Sequence, residues 1–450
     1  MAVNVIEQCK ISPPSGSISP TSLPLTIFDT IWLPIPPVQR LFFYEFHHPK
    51  AYFMETILPN IKHSLSLTLQ HFFPLCGHLA CPHASSNPEV QYVDGDFVSL
   101  IVAESDYDFD TLVDSSNVRA ANAFYPLAPK LLHNHALTAF QVTLFPNRGI
   151  CIGIAYNHVV ADGRSLLHFM KSWASLCKLE GKENTSLPPP YYDRSIVNNP
   201  SWVDTVCLIY KKISEIPRET FLISHGDLMD KLVLATFVMT PRSIKILRQW
   251  VLSRLDNKTL HLSTFVLTCA YVWVCLIKAE WEKKDAVDET EYFRFLVDSR
   301  LRLDPPLPIT YFGNCLRPTY LEAKRSNLLG KDGMLIAAEV IGNAIQTIEN
   351  GEAIFKHTGN FFTDMISISS SRDRVVPVAG ATSLGTYDTD FGWGKPKKAE
   401  IVSITGTRAI SLSECPSEVG AVEVGLARNI SEMDAFASMF ATTIQGFTIQ

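Results

Sequence analysis

Apolar residues along this chain recur with two periods, and the order of those periods outlines its elements. Compact apolar runs at Leu41 to Tyr44, Phe140 to Phe145 and Ile150 to Tyr156 predict strands, the last two joined by the turn Pro146-Asn147-Arg148-Gly149. Ile31 to Leu33 also has strand character, and Val90 to Val102 alternates loosely around an Asp94-Gly95 turn. Helical spacing governs Ile61, Leu65, Leu69, Phe72 and Phe73, which predicts a helix from about Pro59 to Phe73, with Leu67 off its main face and Pro74 blocking continuation. Leu166, Leu167, Met170, Trp173, Ala174 and Cys177 give a helix with one apolar face. Leu267, Tyr271, Val274 and Cys275 follow Ser263 and Thr264, either of which can cap their helix. Ala337, Val340, Ile341, Ala344, Ile345 and Ile348 form the most regular helical pattern. Ser431 with Asp434 resembles a capping arrangement for a last helix burying Phe436, Met439 and Phe440.

The pattern breaks in two places. Residues up to about Pro24 are rich in Pro and Ser and read as extended. Residues 180 to 200 lose apolar character around Gly181, Asn184, Ser186 and three consecutive prolines, Pro188 to Pro190, as an inter-domain crossover would. Strands and helices alternate irregularly, with antiparallel-looking hairpins. That order favours mixed α/β layers over a doubly wound parallel sheet. At 450 residues the chain is long for one core, so two domains of roughly 200 residues each are expected.

Composition narrows the function classes. The net charge of −6 and the lack of a long Lys/Arg run speak against nucleic acid or an anionic membrane as partner, although a local basic patch for a phosphorylated ligand remains compatible. No run reaches the roughly 18 apolar residues of a membrane span, and Met1 to Gln8 lacks the basic start and apolar block of a signal peptide. The 10 cysteines are scattered without a Cys-x-x-Cys, as in reduced cytoplasmic proteins. The Asn-x-Ser/Thr sequences at Asn184, Asn257 and Asn429 are then coincidental.

His158-Val-Val-Ala-Asp162-Gly163 carries the candidate chemistry. An imidazole at the end of the buried run Ile150 to Tyr156 is well placed to take a proton near neutral pH. Asp162 can orient that imidazole as a dyad partner, or cap the helix that follows it. Asp390-Phe391-Gly392-Trp393-Gly394 sets two glycines around an indole, which suggests a tight structural loop, with a catalytic acid at Asp390 as the alternative. Ser263 and Thr264 can present backbone N–H groups to phosphate, or simply cap their helix. Arg164 can pair with a carboxylate on a substrate, or stand exposed in the first helical turn.

Five segments together resemble the plant BAHD acyl-CoA-dependent acyltransferases: Leu23 to Asp29, Asn157 to Gly163, Val297 to Arg302, Tyr311 to Cys315 and Asp390 to Gly394. Tyr311 to Cys315 is similar to the branch that acylates flavonoid and anthocyanin glucosides, often from malonyl-CoA. The resemblance implies two mixed-sheet domains similar to chloramphenicol acetyltransferase, with a solvent channel between them. The first would span residues 1–180, joined by a segment from about 365–395, a crossover linker residues 181–210, and the second domain residues 211–450. It implies His158 as general base, no acyl-enzyme, an ion pair of Asp162 with Arg300, and an Asp390–Gly394 loop that supports the channel without doing chemistry. It also places Ser383 and Tyr387 near the pantetheine arm. Arg164 becomes a candidate for a malonyl carboxylate. Acyl-CoA is expected as co-substrate, with no tightly bound cofactor and no metal, in a cytoplasmic monomer acting on small molecules. Other readings stay open: a hydroxycinnamoyl or acetyl donor, a non-flavonoid alcohol or amine acceptor, a condensation-type domain, or a catalytically silent binding protein. Metal hydrolase and serine hydrolase readings are disfavoured, since no second His stands at ligand spacing and no Gly-x-Ser-x-Gly occurs.

Overall fold

A computed structural model describes residues 2–80, 88–131, 136–181, 187–197, 231–255, 259–280, 289–348 and 374–447, with isolated positions between 354 and 371. Most of the expected crossover, including residues 198–210, lies outside the described residues, as do Asn184 and Asn257.

Two mixed sheets dominate. The first has six strands in the spatial order Val3–Ile11, Val98–Ser105, Thr138–Phe145, Gly149–Tyr156, Val38–Glu45 and Lys398–Ile401. The second has seven, in the order Leu316–Lys324, Thr290–Asp298, Val375–Gly380, Ile410–Glu414, Val422–Asn429, Leu232–Met239 and Arg119–Ala120. Each sheet mixes parallel and antiparallel pairs; Val98–Ser105 runs parallel to Thr138–Phe145, and Thr290–Asp298 parallel to Val375–Gly380. The fold is therefore the mixed α/β type that irregular alternation implies. A separate small sheet of Thr21–Pro24, Glu89–Tyr92 and His78–Ala80 packs Val90 and Tyr92 into the first core.

The helices Leu58–His71 and Gly163–Lys178 cover the first sheet, with Ile61, Leu65, Leu166, Met170 and Trp173 packed on Phe140, Ile152 and Ile154. Thr264–Ala279 is apolar on nearly every side, and Val266 through Ile277 are all buried; it is the central helix of the second core, against Phe293, Phe295, Val424 and Leu426. A third cluster joins the sheets, with Leu41, Phe43 and Cys151 from one meeting Leu232, Leu234 and Ala427 from the other.

The two sheets also exchange edge strands. Arg119–Ala120 pairs with Leu232–Met239, while Lys398–Ile401 pairs with Val38–Glu45. Of the segment expected to return near 365–395, Val375–Gly380 stays in the second sheet; Phe391 and Trp393 pack on the first core just before the returning strand Lys398–Ile401. Buried ion pairs tie the exchanged edges: Arg119 to Glu400 at 2.7 Å and Lys398 to Glu423 at 3.0 Å.

Three local expectations are corrected. Ile31 to Leu33 is a run of turns after the short helix Ile27–Thr30, because Thr26 and Asp29 close a capping box: the Asp29 carboxylate accepts from the Thr26 backbone N–H at 2.9 Å. The strands on either side of Asp94-Gly95 pair in different sheets rather than with each other. The last helix, Ile430–Gly446, is capped by Asn429, whose Oδ1 accepts from the Glu432 N–H at 2.9 Å; Ser431 is already inside the first turn.

Phe391 is 1% exposed and meets Trp173 edge to face at 5.0 Å between centroids. Replacing Phe391 with Ala is expected to lower unfolding stability by about 3–5 kcal/mol, read from urea transition midpoints.

Candidate functional site

His158 stands just beyond the strand Gly149–Tyr156, in a turn closed by the Val160 N–H to the Asn157 carbonyl at 3.1 Å. The residue is partly accessible rather than sealed in a core. Its ring lies flat on Trp32, with centroids 3.9 Å apart and 15° between planes. Its Nδ1 faces Oδ1 of Asn314 at 3.1 Å. The orientation of the Asn314 amide follows from its surroundings. Nδ2 has only acceptors around it: the His158 carbonyl at 2.9 Å, the Val159 carbonyl at 3.2 Å and Asp29 Oδ1 at 3.1 Å. Oδ1 must then receive the hydrogen carried by Nδ1 of His158, which leaves the Nε2 lone pair as the basic site of the neutral ring.

Asp29 organises this arrangement. It is fully buried and accepts from Thr26, from Arg194 Nη1 at 2.8 Å, and from both the backbone N–H and Nδ2 of Asn314. Burial lowers the His158 pKa below the ordinary imidazole value; its own backbone, Asp162 and Asn314 oppose that shift, and Arg40 adds to it.

Asp162 does not touch the imidazole. One oxygen caps the helix Gly163–Lys178, accepting from the Ser165 N–H at 2.9 Å; the other pairs with Arg300 Nη1 at 2.8 Å and accepts from the Cys315 N–H at 3.3 Å. Arg300 also donates to the carbonyls of Tyr311 and Gly313 at 3.1 and 3.2 Å. Burial works against its charge, but Asp162 and Asp298 together push its pKa up. Arg300 thereby fixes the segment that carries Asn314. The dyad alternative for Asp162 thus has no contact to support it, and the histidine's side-chain partner is Asn314.

Asp390 forms the expected tight loop. Its Oδ1 accepts from the N–H groups of Gly392 and Gly394 at 2.9 and 3.0 Å, and its Oδ2 meets Lys178 at 2.6 Å. Both glycines have positive φ, 111° and 108°, which side chains resist. Burial pushes the Asp390 pKa up, but Lys178 and the two N–H groups bring it below the usual carboxylate value. Trp393 stacks on Phe391 at 5.6 Å.

Ser263 caps Thr264–Ala279 by accepting from the Val266 N–H at 3.3 Å, with Thr264 as the first helical residue. Ser383 and Tyr387 line one cavity of about 450 Å³, together with Glu414 and Lys395; His158 is not among its walls. Tyr387 donates to Glu423 at 2.8 Å. Arg164 already holds a carboxylate of the protein, with Nε 2.6 Å from Asp298. Among the described residues no cluster of His, Cys, Asp or Glu is arranged to hold a metal ion, and no helix is long and apolar enough to cross a membrane.

Sequence reasoning assigned no role to Asp29, Trp32 or Asn314. The Thr26-x-x-Asp29 spacing was a readable capping signal. Asn314 lies in the Tyr311–Cys315 segment, but nothing local pairs it or Trp32 with His158, which is more than 120 residues away in sequence from each.

The chain matches the model of the Transferase family over residues 1–443. It is 37% identical to a malonyl-coenzyme A:anthocyanin 3-O-glucoside-6''-O-malonyltransferase of Dahlia pinnata, covering 97% of this chain and 96% of that one. It is 38% identical to phenolic glucoside malonyltransferase 1 of Nicotiana tabacum, covering 97% and 98%. It is 36% identical to a coumaroyl-CoA:anthocyanidin 3-O-glucoside-6''-O-coumaroyltransferase of Arabidopsis thaliana, covering 99% and 98%. Among solved structures, vinorine synthase superposes with a TM-score of 0.69 at 20% identity, covering 96% of each chain, a likeness of fold.

Replacing Asp162 with Asn keeps a helix cap but strips Arg300 of one of its two counter-charges. Breaking a buried pair of this kind is expected to cost about 3 kcal/mol of unfolding free energy. Unchanged stability combined with lost turnover would instead make Asp162 a direct partner of the base.

Proposed function

The chain belongs to the Transferase family, the BAHD acyltransferases, and on that premise we propose that it moves an acyl group from acyl-CoA to a hydroxyl of a phenolic or flavonoid glucoside. Malonyl-CoA is the first donor to test, because relatives of two plant sources are malonyltransferases acting on glucosides. The coumaroyltransferase of Arabidopsis supports an aromatic acyl-CoA as the second.

The observation that carries the chemistry is the Asn314–His158 hydrogen bond, which leaves Nε2 as the basic atom. The acceptor hydroxyl gives its proton to Nε2 as its oxygen attacks the thioester carbon. The tetrahedral intermediate then collapses, the carbon–sulfur bond breaks, and the departing sulfur takes the proton back from Nε2. A thioester is already activated, so no acyl-enzyme is required. The protein's contribution is to hold base, hydroxyl and thioester together. Ser383 and Tyr387, on the walls of the 450 Å³ cavity, are the proposed supports of the pantetheine arm. Ser263 and Thr264 remain proposed phosphate contacts, through N–H groups of the helix start that the Ser263 side chain does not occupy. Arg164 is the proposed malonyl contact and would have to bind a second carboxylate beside Asp298. Acyl-CoA is then a co-substrate without a tightly bound cofactor. A monomer acting on small molecules, away from nucleic acid and membrane, completes the proposal.

Replacing His158 with Gln is expected to lower kcat by about 10²–10⁴-fold, the usual worth of a positioned base. Because burial lowers the His158 pKa, the neutral base survives into mild acid, and the acid limb of kcat/KM should fall below the ordinary imidazole value of about 6.5. A donor–acceptor matrix read by mass spectrometry tests the substrates: a malonyl increment on a glucosylated phenolic is expected, and acylation of unglycosylated acceptors alone would overturn the glucoside assignment.

A further inference from the structure

The imidazole of His158 must hold one orientation while its charge changes, and it is gripped from two directions. Asn314 fixes which edge turns inward. Trp32 covers one face, at 3.9 Å and 15°. We propose that Trp32 is a positioning residue for the acyl transfer: its indole fixes the plane of the His158 ring and steadies the imidazolium formed when the ring takes the acceptor's proton. This rests on the reading of His158 as the base.

Trp32 is held on both sides. Its backbone N–H donates to the Asp29 carbonyl at 3.1 Å, and its carbonyl accepts from the Ile35 N–H at 3.1 Å. The residue is 6% exposed, in a cluster with Phe28, Leu303, Tyr311 and Cys315. Asp29 thus governs both grips: its backbone anchors Trp32, and its carboxylate holds Asn314 through two hydrogen bonds. Turning the imidazole about its Cβ–Cγ bond would break the stack and the Asn314 bond together. A ring so held keeps Nε2 aimed in one direction, and misplacement by about 1 Å can cost a transfer step about 100-fold.

The charges facing the ring explain why a π-face is useful there. Asp162 favours the cation, while Arg40 and burial oppose it; Tyr156 is tilted at 42° with its centroid 6.1 Å away. Asp162 is already committed to Arg300, so its help reaches the ring only at a distance. An indole face attracts a cation without adding a formal charge that would hold the proton once the sulfur needs it.

The test compares Trp32→Leu and Trp32→Phe with wild type, at saturating acyl-CoA and glucoside, with rates referred to the folded fraction measured by circular dichroism. Trp32→Leu is expected to lower kcat by about 30-fold with both KM values little changed. Its acid limb should move to lower pH, since loss of the face disfavours the protonated ring. Trp32→Phe restores a flat face and should recover most of the rate. Wild-type kcat and an unmoved limb in Trp32→Leu would overturn the proposal, as would a Trp32→Phe enzyme as slow as Trp32→Leu. Should Trp32→Leu fail to fold, Trp32→Phe and Trp32→Tyr decide: full rate with Phe or Tyr supports the flat-face role, and equal loss in both refutes it. His158→Gln separates the two ideas. Turnover surviving that change would sink the base itself, whereas an inactive His158→Gln beside a fully active Trp32→Leu would sink only the role of Trp32.

Discussion

The carboxylate of Asp29, buried with no solvent to share its charge, is the constraint on which the site depends. It receives hydrogens from its own helix start, from Arg194 and from Asn314, segments drawn from across the chain. A buried anion is tolerated only when such donors surround it. Each donor is thereby fixed relative to the others, and His158 falls into the space they leave. The proton position on His158 is decided at one remove: Asp29 turns the Asn314 amide, and the amide selects the tautomer.

A second buried pair, Asp162 with Arg300, does the same work from the other side of the loop. Asp162 ends the first-sheet segment, and Arg300 begins the approach to Asn314. The two charges could be replaced by apolar groups without obvious loss of stability, as buried pairs often can. What apolar groups could not supply is the set of hydrogen bonds to the Tyr311 and Gly313 carbonyls and the Cys315 N–H. Those bonds settle where the segment passes behind His158. The same logic appears between the sheets, where Arg119, Glu400, Lys398 and Glu423 hold exchanged edge strands in register.

The Asp390 loop belongs to the frame. Its oxygens accept from the backbone N–H groups of two glycines and from the ammonium of Lys178, and its aromatic residues press on the first core beside Tyr44 and Trp173. The loop thus sets the path by which the chain leaves the second sheet and returns to the first, passing the cavity lined by Ser383 and Tyr387.

By itself the sequence determined whatever depends on neighbours within about one turn or one strand. The runs before and after Pro146, the helix after Asp162 and the apolar helix after Ser263 all follow from local periodicity and capping, and so does the Asp390-Gly392-Gly394 turn. Ile31 to Leu33 misled because three apolar residues fit a strand and a buried turn equally well; the Thr26–Asp29 capping box just before them decides for the turn. Tertiary structure alone decided that Asn314, 156 residues from His158, carries the acceptor for Nδ1, that Trp32 covers the ring, and that Arg164 spends its Nε on Asp298. The reason is that proton position and ring orientation are set by contacts at 3 to 4 Å between segments whose separation in sequence no local pattern records.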